Sequence, residues 1–359
     1  MHDSNTWVSR VNEKLDDFLT EHAPQLISVS EDLAPFVDYS RRFLSGGKRF
    51  RARCALLGYA TVNTTVPDHM FDIASALEVF HAAALVHDDI MDNSDTRRGS
   101  PSVHKLFEQL HDDSRWHGQA VPFGTSSALL LGDLLLAFSD ELFAHGIAAE
   151  PNLAARVASR TEFNRMRLEV TAGQYLDIAE EAAWPVIDKQ DSLLRAQKVV
   201  IYKSAKYSIE APLVIGAALA GASESHLTSL RNIGVPLGIA FQLRDDMLGV
   251  FGDPAVTGKP AGDDLREGKR TVLIALAQQQ LPATAIRLMD ELLGDPELTD
   301  EQITMLQHTL VNSGAVDALE KMIDDQVAKA HATIEAADFS DEAQAALCEL
   351  AEVVTQRSS

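Results

Sequence analysis

The stretch that decides the fold reads FHAAALVHDDIMD at residues 80–92, an apolar segment that ends in three carboxylates. At about 100° per residue, a helix over this stretch places Asp88 and Asp92 on one stripe, with Asp89 beside them. Converging carboxylates repel one another unless a cation bridges them, and hard divalent ions such as Mg²⁺ take oxygen ligands. The stretch therefore predicts a metal-binding helix end, and the alternative is an acidic helix end exposed to solvent.

Outward from this stretch, helical periodicity dominates the chain, and few segments alternate in the strand manner. No linker or composition shift divides the chain. Breaker residues separate the helical segments at residues 45–47, 98–101, 111–122 and 252–268. Beyond Thr271 the pattern predicts five more amphipathic helices, at residues 271–280, 283–293, 300–312, 315–337 and 341–355. The sequence therefore predicts an all-α fold, a bundle of about ten or more helices that forms a single domain at residues 1–359.

Composition excludes several classes of protein. The 359 residues carry 31 Lys plus Arg against 53 Asp plus Glu, a formal charge of −22, so a polyanion such as nucleic acid is repelled. Two cysteines, Cys54 and Cys348, lie far apart in apolar contexts, which favours a reducing compartment over a disulfide framework. The N-terminus lacks a signal-type apolar core, and the longest apolar or small run, residues 211–222, is too short to span a bilayer. We expect a cytoplasmic protein with no transmembrane segment.

A second acidic segment reads FQLRDDMLG at residues 241–249 and ends another apolar helix. Gln242 and Asp245 are three residues apart, with Asp246 adjacent, so a helix brings their oxygen atoms to one region. Gly249 stands where a third carboxylate would strengthen the pattern. The segment predicts a second oxygen-rich surface, with an acidic helix end again as the alternative.

Cationic residues are grouped rather than scattered in this acidic chain. Lys48 and Arg51 follow a Gly-Gly break, where the free amides and dipole of a helix N-terminus attract an anion. Arg97 and Arg98 directly follow the first acidic segment, and guanidinium groups match phosphate oxygens in a bidentate way. Further cations occur at Lys203, Lys206 and Lys259. Together they indicate two diphosphate subsites, one that contacts cations directly and one that contacts metal ions. The alternative interpretation of each cation by itself is a surface side chain with no such role.

These segments resemble the trans-isoprenyl diphosphate synthases, also called polyprenyl synthetases, over residues 46–270. The motifs that carry the resemblance are GGKR at residues 46–49, DDIMD at 88–92, RRG at 97–99, GQYLD at 173–177, KS at 203–204 and QLRDD at 242–246. The resemblance implies an all-helical fold around a deep central cavity, usually as a homodimer with three Mg²⁺ ions. It also implies head-to-tail condensation of isopentenyl diphosphate with dimethylallyl, geranyl or farnesyl diphosphate.

The same resemblance assigns roles to individual residues. The metal ligands would be Asp88, Asp89, Asp92 and Asp245. Other catalytic and allylic-side residues would be Arg97, Lys203, Ser204, Gln242, Asp246 and Lys259. Isopentenyl diphosphate would bind to Lys48, Arg51, His81 and Arg98. Two residues depart from the family pattern: Gly249 and Ser204 replace a frequent Asp and Thr. Ser204 retains a hydroxyl, so we expect little loss from it, whereas Gly249 leaves the third metal more dependent on Asp245, Asp246 and water.

The length of the product depends on where the cavity is closed. The resemblance places the growing chain beside the helix of the first motif, and an isoprene unit is roughly as long as one helical turn of about 5.4 Å. Ala84 and Ala83, four and five residues before Asp88, do not block it, whereas Phe80 provides a floor for about twenty carbons by that turn length. We therefore expect geranylgeranyl diphosphate. The alternatives are a longer-chain polyprenyl diphosphate synthase, a terpene cyclase or head-to-head synthase, and a noncatalytic subunit of a heteromeric synthase.

Overall fold

Helices make up nearly all the regular structure of the computed structural model, which describes residues 4–97, 99–253 and 262–355. The first part of the chain forms α1 (Ser4–Val29), α2 (Ala34–Leu44), α3 (Phe50–Ala60), α4 (Asp68–Met91), α5 (Val103–Asp113) and α6 (Ala120–Ala149). A short 3₁₀ turn, Glu31–Leu33, precedes α2. Between α4 and α5, β1 (Thr96–Arg97) pairs antiparallel with β2 (Ser100–Pro101).

The second part of the chain is helical as well. It forms α7 (Leu153–Ala183), α8 (Lys189–Val199), a π-helix (Val200–Glu210), α9 (Ala211–Leu219), α10 (Glu224–Phe251), α11 (Asp263–Glu267), α12 (Val272–Gln280), α13 (Ala283–Leu292), α14 (Asp300–Asn312), α15 (Ala315–Ala336) and α16 (Asp341–Thr355). The all-α prediction is confirmed. The five C-terminal helices lie within one residue of their predicted bounds, whereas the predicted breaker segment at 252–268 contains the short helix α11.

The chain divides into two compact units. Unit 1 contains the residues up to Arg160 together with Ile215–Ala222, and unit 2 contains Thr161–Val214 together with the residues from Ser223 onwards. The chain therefore passes between the units three times, within α7, within α9 and between Ala222 and Ser223. The single domain and the deep central cavity that the sequence indicates stay predictions.

In unit 1, α4 is the core helix. Its first four turns bury apolar side chains on nearly every side, and Met70, Phe71, Ile73 and Leu77 are almost fully inaccessible. An apolar helix without a polar face is stable only when neighbouring elements surround it. The end of α4 that carries the acidic motif is therefore fixed by the core packing of the preceding turns.

In unit 2, the π-helix lies against α7 and α10. A Cβ atom at Gly173 of α7 would be 2.7 Å from the Cα of Lys203, and one at Gly238 of α10 would be 2.5 Å from the Cα of Ala205. Glycine at these positions thus allows the backbones to approach without a side chain between them. π-Helical segments are rare in proteins, and those that occur are often found at functional sites. Lys203 lies within such a segment, which favours a functional role for it.

Two helices in the described residues are long and apolar enough to cross a membrane by length and composition alone, α4 and α6. In α4, 72% of the relevant window is buried, and in α6 the share is 33%. The core helix of a soluble protein meets the same criterion, so one or two such helices are weak support for a membrane span. The expectation of no transmembrane segment stays a prediction.

We predict that Cys54 resists alkylation in the native protein. Its side chain is fully inaccessible, and burial raises the pKa of its thiol to about 12, so very little reactive thiolate forms at pH 8. Native Cys348→Ala protein should react with iodoacetamide at least about tenfold more slowly than native Cys54→Ala protein, whose remaining Cys348 is half-buried. Mass spectrometry of timed samples measures both rates. Equal rates in the two native proteins would contradict the placement of Cys54 in the core.

Candidate active site

The acidic end of α4 presents one accessible stripe. His81, Ala84, Asp88 and Asp92 recur at spacings of three and four, and each is half-buried, whereas Asp89 is fully inaccessible. This is the stripe that the sequence predicted for Asp88 and Asp92. The two carboxylates that remain accessible to a ligand are therefore Asp88 and Asp92.

The electrostatics at this helix end favour a cation. Three carboxylates occupy the last turn and cap of α4, where the peptide dipoles add a partial negative charge, and no basic residue lies in that turn. From β1, Arg97 supplies one positive charge: its Nη2 lies 3.6 Å from the Oδ2 of Asp88. Arg97 therefore offsets part of the negative charge at this helix end.

Asp89 anchors Arg97 inside unit 1. The Nε of Arg97 donates to the Oδ1 of Asp89 at 2.8 Å, and its Nη2 donates to the same oxygen. A buried carboxylate needs such a partner because removing its charge from water is costly. The sequence placed Asp89 among the metal ligands, and the structure gives it a second task, which is to hold Arg97 beside Asp88.

The donor set suits magnesium shared with a diphosphate. Within residues 4–97, 99–253 and 262–355, no three or more His, Cys, Asp or Glu side chains form a group that could hold a metal ion by themselves. Mg²⁺ does not require such a group, because it is usually bound by one or two carboxylates plus substrate phosphates and water. Accessible Asp88 and Asp92 on one helical stripe provide that kind of partial set.

The loop before α3 is held by a buried arginine. Arg49 adopts a left-handed backbone conformation, φ 49°, donates from Nε to the Oδ1 of Asn12 at 2.7 Å, and contacts the carbonyl oxygen of Leu44. It is buried, so the neighbouring Lys48 is the exposed cation of this loop. Arg49 is a residue whose role the sequence pattern did not reveal.

One backbone amide in the first turn of α3 is bound by a carboxylate. The Oε1 of Glu78 accepts the backbone N–H of Ala52 at 2.9 Å, and its Oε2 lies 3.9 Å from Arg49. The sequence predicted that free amides at this terminus attract an anion. For the amide of Ala52 this is wrong, because that amide already donates to the buried carboxylate of Glu78.

The proposed isopentenyl-side residues lie on two helices and a loop of unit 1. Lys48 is exposed, Arg51 is half-buried in the first turn of α3, and His81 is half-buried on α4, two turns before Asp88. Arg98 lies outside the described residues. Their joint role stays a prediction.

Lys203 and Ser204 lie in the π-helix of unit 2, where both are half-buried. The Nζ of Lys203 donates to the Oδ2 of Asp177 on α7. Asp177 stands one helical turn after Gly173, the residue that lets the π-helix backbone approach. The GQYLD segment thus positions Lys203, a role that its spacing alone did not show.

The second acidic segment occupies the last turns of α10. The Nε2 of Gln242 donates to the Oδ1 of Asp246 at 2.7 Å, while Asp245 is exposed. Burial raises the pKa of Asp246 well above its usual range, and the negative charges of Asp264 and Asp245 raise it further, against the hydrogen bond from Gln242. Asp245 is therefore the accessible carboxylate of this pair. Lys259, which the sequence also assigned to this region, lies outside the described residues.

An ion pair fixes the helix that carries this segment. The Nη1 and Nη2 of Arg244 donate to the two carboxylate oxygens of Glu320 on α15, at 2.6 and 2.8 Å. Bidentate pairing of this kind adds geometric specificity as well as energy. The C-terminal quarter, in which the sequence revealed no chemistry, thus helps to orient α10 next to Asp245.

Comparisons with known proteins give a consistent result. A crystal structure of geranylgeranyl pyrophosphate synthase from Corynebacterium glutamicum, complexed with isoprenyl diphosphate and magnesium, matches with a TM-score of 0.92 at 36% identity over 99% of each chain. The short chain isoprenyl diphosphate synthase of Methanocaldococcus jannaschii is 29% identical over 77% of this chain and 79% of its own length. The geranylfarnesyl diphosphate synthase of Aeropyrum pernix is 33% identical with the same two shares.

The family model for polyprenyl synthetase matches residues 35–310, a range that includes every motif found in the sequence. With that range and the similarity to the Corynebacterium structure over 99% of the chain, this chain belongs to the polyprenyl synthetase family.

Proposed function

We propose that this chain condenses isopentenyl diphosphate head to tail with an allylic diphosphate and that geranylgeranyl diphosphate is its main product. The reaction class follows from family membership: the chain is a trans-isoprenyl diphosphate synthase, and hence a prenyltransferase. The observation that carries the proposal is the acidic end of α4, where Asp88 and Asp92 are accessible on one stripe and Arg97 is held beside them.

Magnesium is the proposed cofactor, because Mg²⁺ is usually bound by one or two carboxylates plus substrate phosphates. The number of about three ions per site is what the family resemblance implies. The Corynebacterium structure was solved with magnesium and isoprenyl diphosphate, and a polyprenyl synthase from Caulobacter crescentus, 26% identical to this chain, with calcium and isoprenyl diphosphate. The proposed ligands are Asp88, Asp92 and Asp245. Asp89 would join them when its hydrogen bonds from Arg97 are broken. Bound magnesium would neutralise the negative charge of the diphosphate leaving group as the allylic C–O bond ionises.

The chain's cations would complete the allylic site. Arg97 stands next to Asp88 in unit 1, and Lys203 is held by Asp177 in unit 2, so each cation is oriented before a substrate arrives. Pre-oriented charges stabilise developing charge without reorganisation during the reaction. The proposal adds Lys259 to this set, with Gln242 and Ser204 as polar contacts.

Lys48, Arg51, His81 and Arg98 would bind the diphosphate of isopentenyl diphosphate. In the chemistry proposed here no side chain acts as the base, because the released diphosphate takes the proton. The pocket must exclude water, which would quench the carbocation. The alanines at residues 82–84 fit that need, since they add apolar surface without bulk.

Geranylgeranyl diphosphate is proposed as the product because the residues four and five positions before Asp88 are small, whereas Phe80, one turn further from the motif, is large. Ala83 is fully inaccessible, Ala84 is half-buried, and Phe80 is buried one turn before Ala84. Several relatives carry the name geranylgeranyl diphosphate synthase, including those of Sulfolobus acidocaldarius and Geoglobus acetivorans. The Aeropyrum relative, named for a longer product, favours a longer-chain synthase as the second candidate.

A homodimer is proposed from an exposed apolar face of α6. Leu129 and Leu130, which are neighbours on α6, are 47% and 56% exposed, and a contiguous exposed apolar patch marks an interaction surface. A two-fold dimer would bring the same patch of both copies together. The assembled enzyme is proposed to be cytoplasmic.

We predict that Asp88→Asn lowers kcat by about 100-fold or more, because it removes charge where the metal-bound diphosphate is held. The assay incubates the protein with isopentenyl diphosphate, farnesyl diphosphate and Mg²⁺, and quantifies the dephosphorylated products by chromatography. The matched control is Asp113→Asn, which changes an exposed residue of another Asp-Asp pair and should retain the wild-type kcat. A wild-type kcat in Asp88→Asn would refute the proposed site.

We predict that Phe80→Ala lengthens the main product by at least one isoprene unit, because it removes the proposed floor of the pocket. The same chromatography, calibrated with prenyl alcohols of known length, measures the shift. Val79→Ala removes volume at the adjacent buried position and should leave the product unchanged. If both variants make the wild-type product, Phe80 is not the floor.

We predict that the double variant Leu129→Glu/Leu130→Glu is monomeric, because four charged groups would meet at the proposed two-fold interface. Light scattering coupled to size-exclusion chromatography measures the molar mass. Met305→Glu, on a partly exposed position of α14, serves as the control and should remain a dimer. A monomeric wild-type protein would disprove the proposed homodimer.

A further inference from the structure

One stripe of α7 faces the π-helix within unit 2. Residues four apart project from the same side of a helix. The stripe consists of Arg165, Glu169, Gly173 and Asp177. Gly173 is in close contact with the π-helix backbone, and the other members carry charges. The stripe therefore presents a row of charges along the π-helix.

Each charge of this stripe is paired with an opposite charge on the π-helix. The pairs are Asp177 with Lys203, Glu169 with Lys206, and Arg165 with Glu210. The partners follow one another in reverse order along the two helices, which therefore run antiparallel. Two of the pairs, Glu169–Lys206 and Arg165–Glu210, do not include Lys203 and are termed the register pairs here.

The order of the charges favours a single register of the π-helix on α7. If the π-helix slid one turn towards the C-terminus of α7, Glu210 would move from Arg165 to Glu169. If it slid one turn the other way, Lys206 would move from Glu169 to Arg165. Like charges placed opposite each other are strongly unfavourable in such a contact. The register pairs therefore oppose sliding in both directions.

The register pairs are largely withdrawn from solvent. The side chain of Glu210 is 1% exposed, and those of Glu169 and Lys206 are 17% and 21% exposed. Solvent and salt screen such charges less than charges on the surface, where ion pairs contribute little. These pairs can therefore influence the position of the π-helix more than exposed pairs would.

The π-helix also contacts α10, the helix that carries the second acidic segment. A Cβ atom at Gly234 of α10 would be 2.6 Å from the Cα of Glu210, so the two backbones meet without a side chain between them. Gly238 makes the same kind of contact with Ala205. The register of the π-helix therefore determines where Lys203 lies relative to Asp245 within unit 2.

We propose that the register pairs hold the π-helix in the register that presents Lys203 to the diphosphate of the allylic substrate. The residues of these pairs are positioning residues, because they act through the placement of Lys203 rather than on the substrate. The inference rests on the proposed function, which assigns Lys203 to the allylic site.

A contribution to stability alone is the competing explanation. Removing one partner of a buried ion pair leaves an unpaired charge, which is strongly destabilising, whereas removing both partners is often nearly neutral. If the register pairs only add stability, a variant that lacks both charges of one pair should behave like the wild type. If they set the register, the same variant should be folded and still place Lys203 poorly.

The test variant is Glu169→Gln/Lys206→Met, which removes both charges of one register pair. The matched control is Glu180→Gln/Arg195→Met, which removes a largely buried ion pair between α7 and α8, with 2.7 Å between Nε and Oε2. Lys206→Arg keeps the charge and should stay close to the wild type. Thermal unfolding followed by circular dichroism confirms that each variant is folded.

Hydrogen exchange followed by mass spectrometry examines the π-helix without any substrate. In the test variant, we expect amides within Val200–Glu210 to exchange at least about tenfold faster than in the wild type, because the helix can leave its register. In the control variant, the exchange of these amides should be unchanged.

Steady-state kinetics with Mg²⁺ then examine the placement of Lys203. We expect the test variant to raise the KM of farnesyl diphosphate about tenfold. The KM of isopentenyl diphosphate should change less than about twofold, because the residues proposed for that substrate lie outside unit 2. In a Lys203→Ala background, the test substitutions should change the KM of farnesyl diphosphate less than about twofold further, because their effect passes through Lys203.

The outcomes separate the inference from the proposed function. A wild-type KM of farnesyl diphosphate in the test variant would overturn the inference and leave the proposed function intact. A full additional effect in the Lys203→Ala background, or an equal rise of both KM values, would overturn it in the same way. If the wild-type protein forms no prenyl product, the proposed function fails and the inference fails with it.

Discussion

The mutual repulsion of carboxylates at the ends of apolar helices is the constraint on which the rest of this structure depends. The chain carries 22 more acidic than basic residues, and it places adjacent aspartates where α4 and α10 leave their cores. Burying or crowding such groups is unfavourable unless cations or hydrogen-bond donors compensate. The hydrogen bonds from Arg97 to Asp89 and from Gln242 to Asp246 meet part of that need within each unit.

Internal carboxylates, in turn, orient the cations that a diphosphate would meet. Asp89 holds Arg97, and Asp177 holds Lys203, so each long and flexible side chain is fixed before ligand arrives. Fixing such a side chain in advance lowers the entropy that binding would otherwise lose. Glu78 shows a different use of a buried carboxylate, because it accepts the backbone N–H of Ala52 at the start of α3.

Much of the fold could be predicted from sequence because its helices are long and strongly periodic. The C-terminal helices and the stripe that contains Asp88 followed from spacing alone. What spacing could not show were contacts between residues distant in sequence. The Arg244–Glu320 ion pair joins residues 76 apart, and the Glu169–Lys206 pair joins residues 37 apart, so neither leaves a local pattern. The α11 helix was missed because it is short and flanked by glycines.

The π-helix has a consequence for how this chain can vary in evolution. A π-helix closes its hydrogen bonds five residues apart, against four in an α-helix, so losing one residue within Val200–Glu210 would tighten part of it towards an α-helix and narrow its backbone. Gly173 and Gly238 fit the wide backbone closely, and the narrowed one would no longer match them. Insertions and deletions should therefore be purged from this segment.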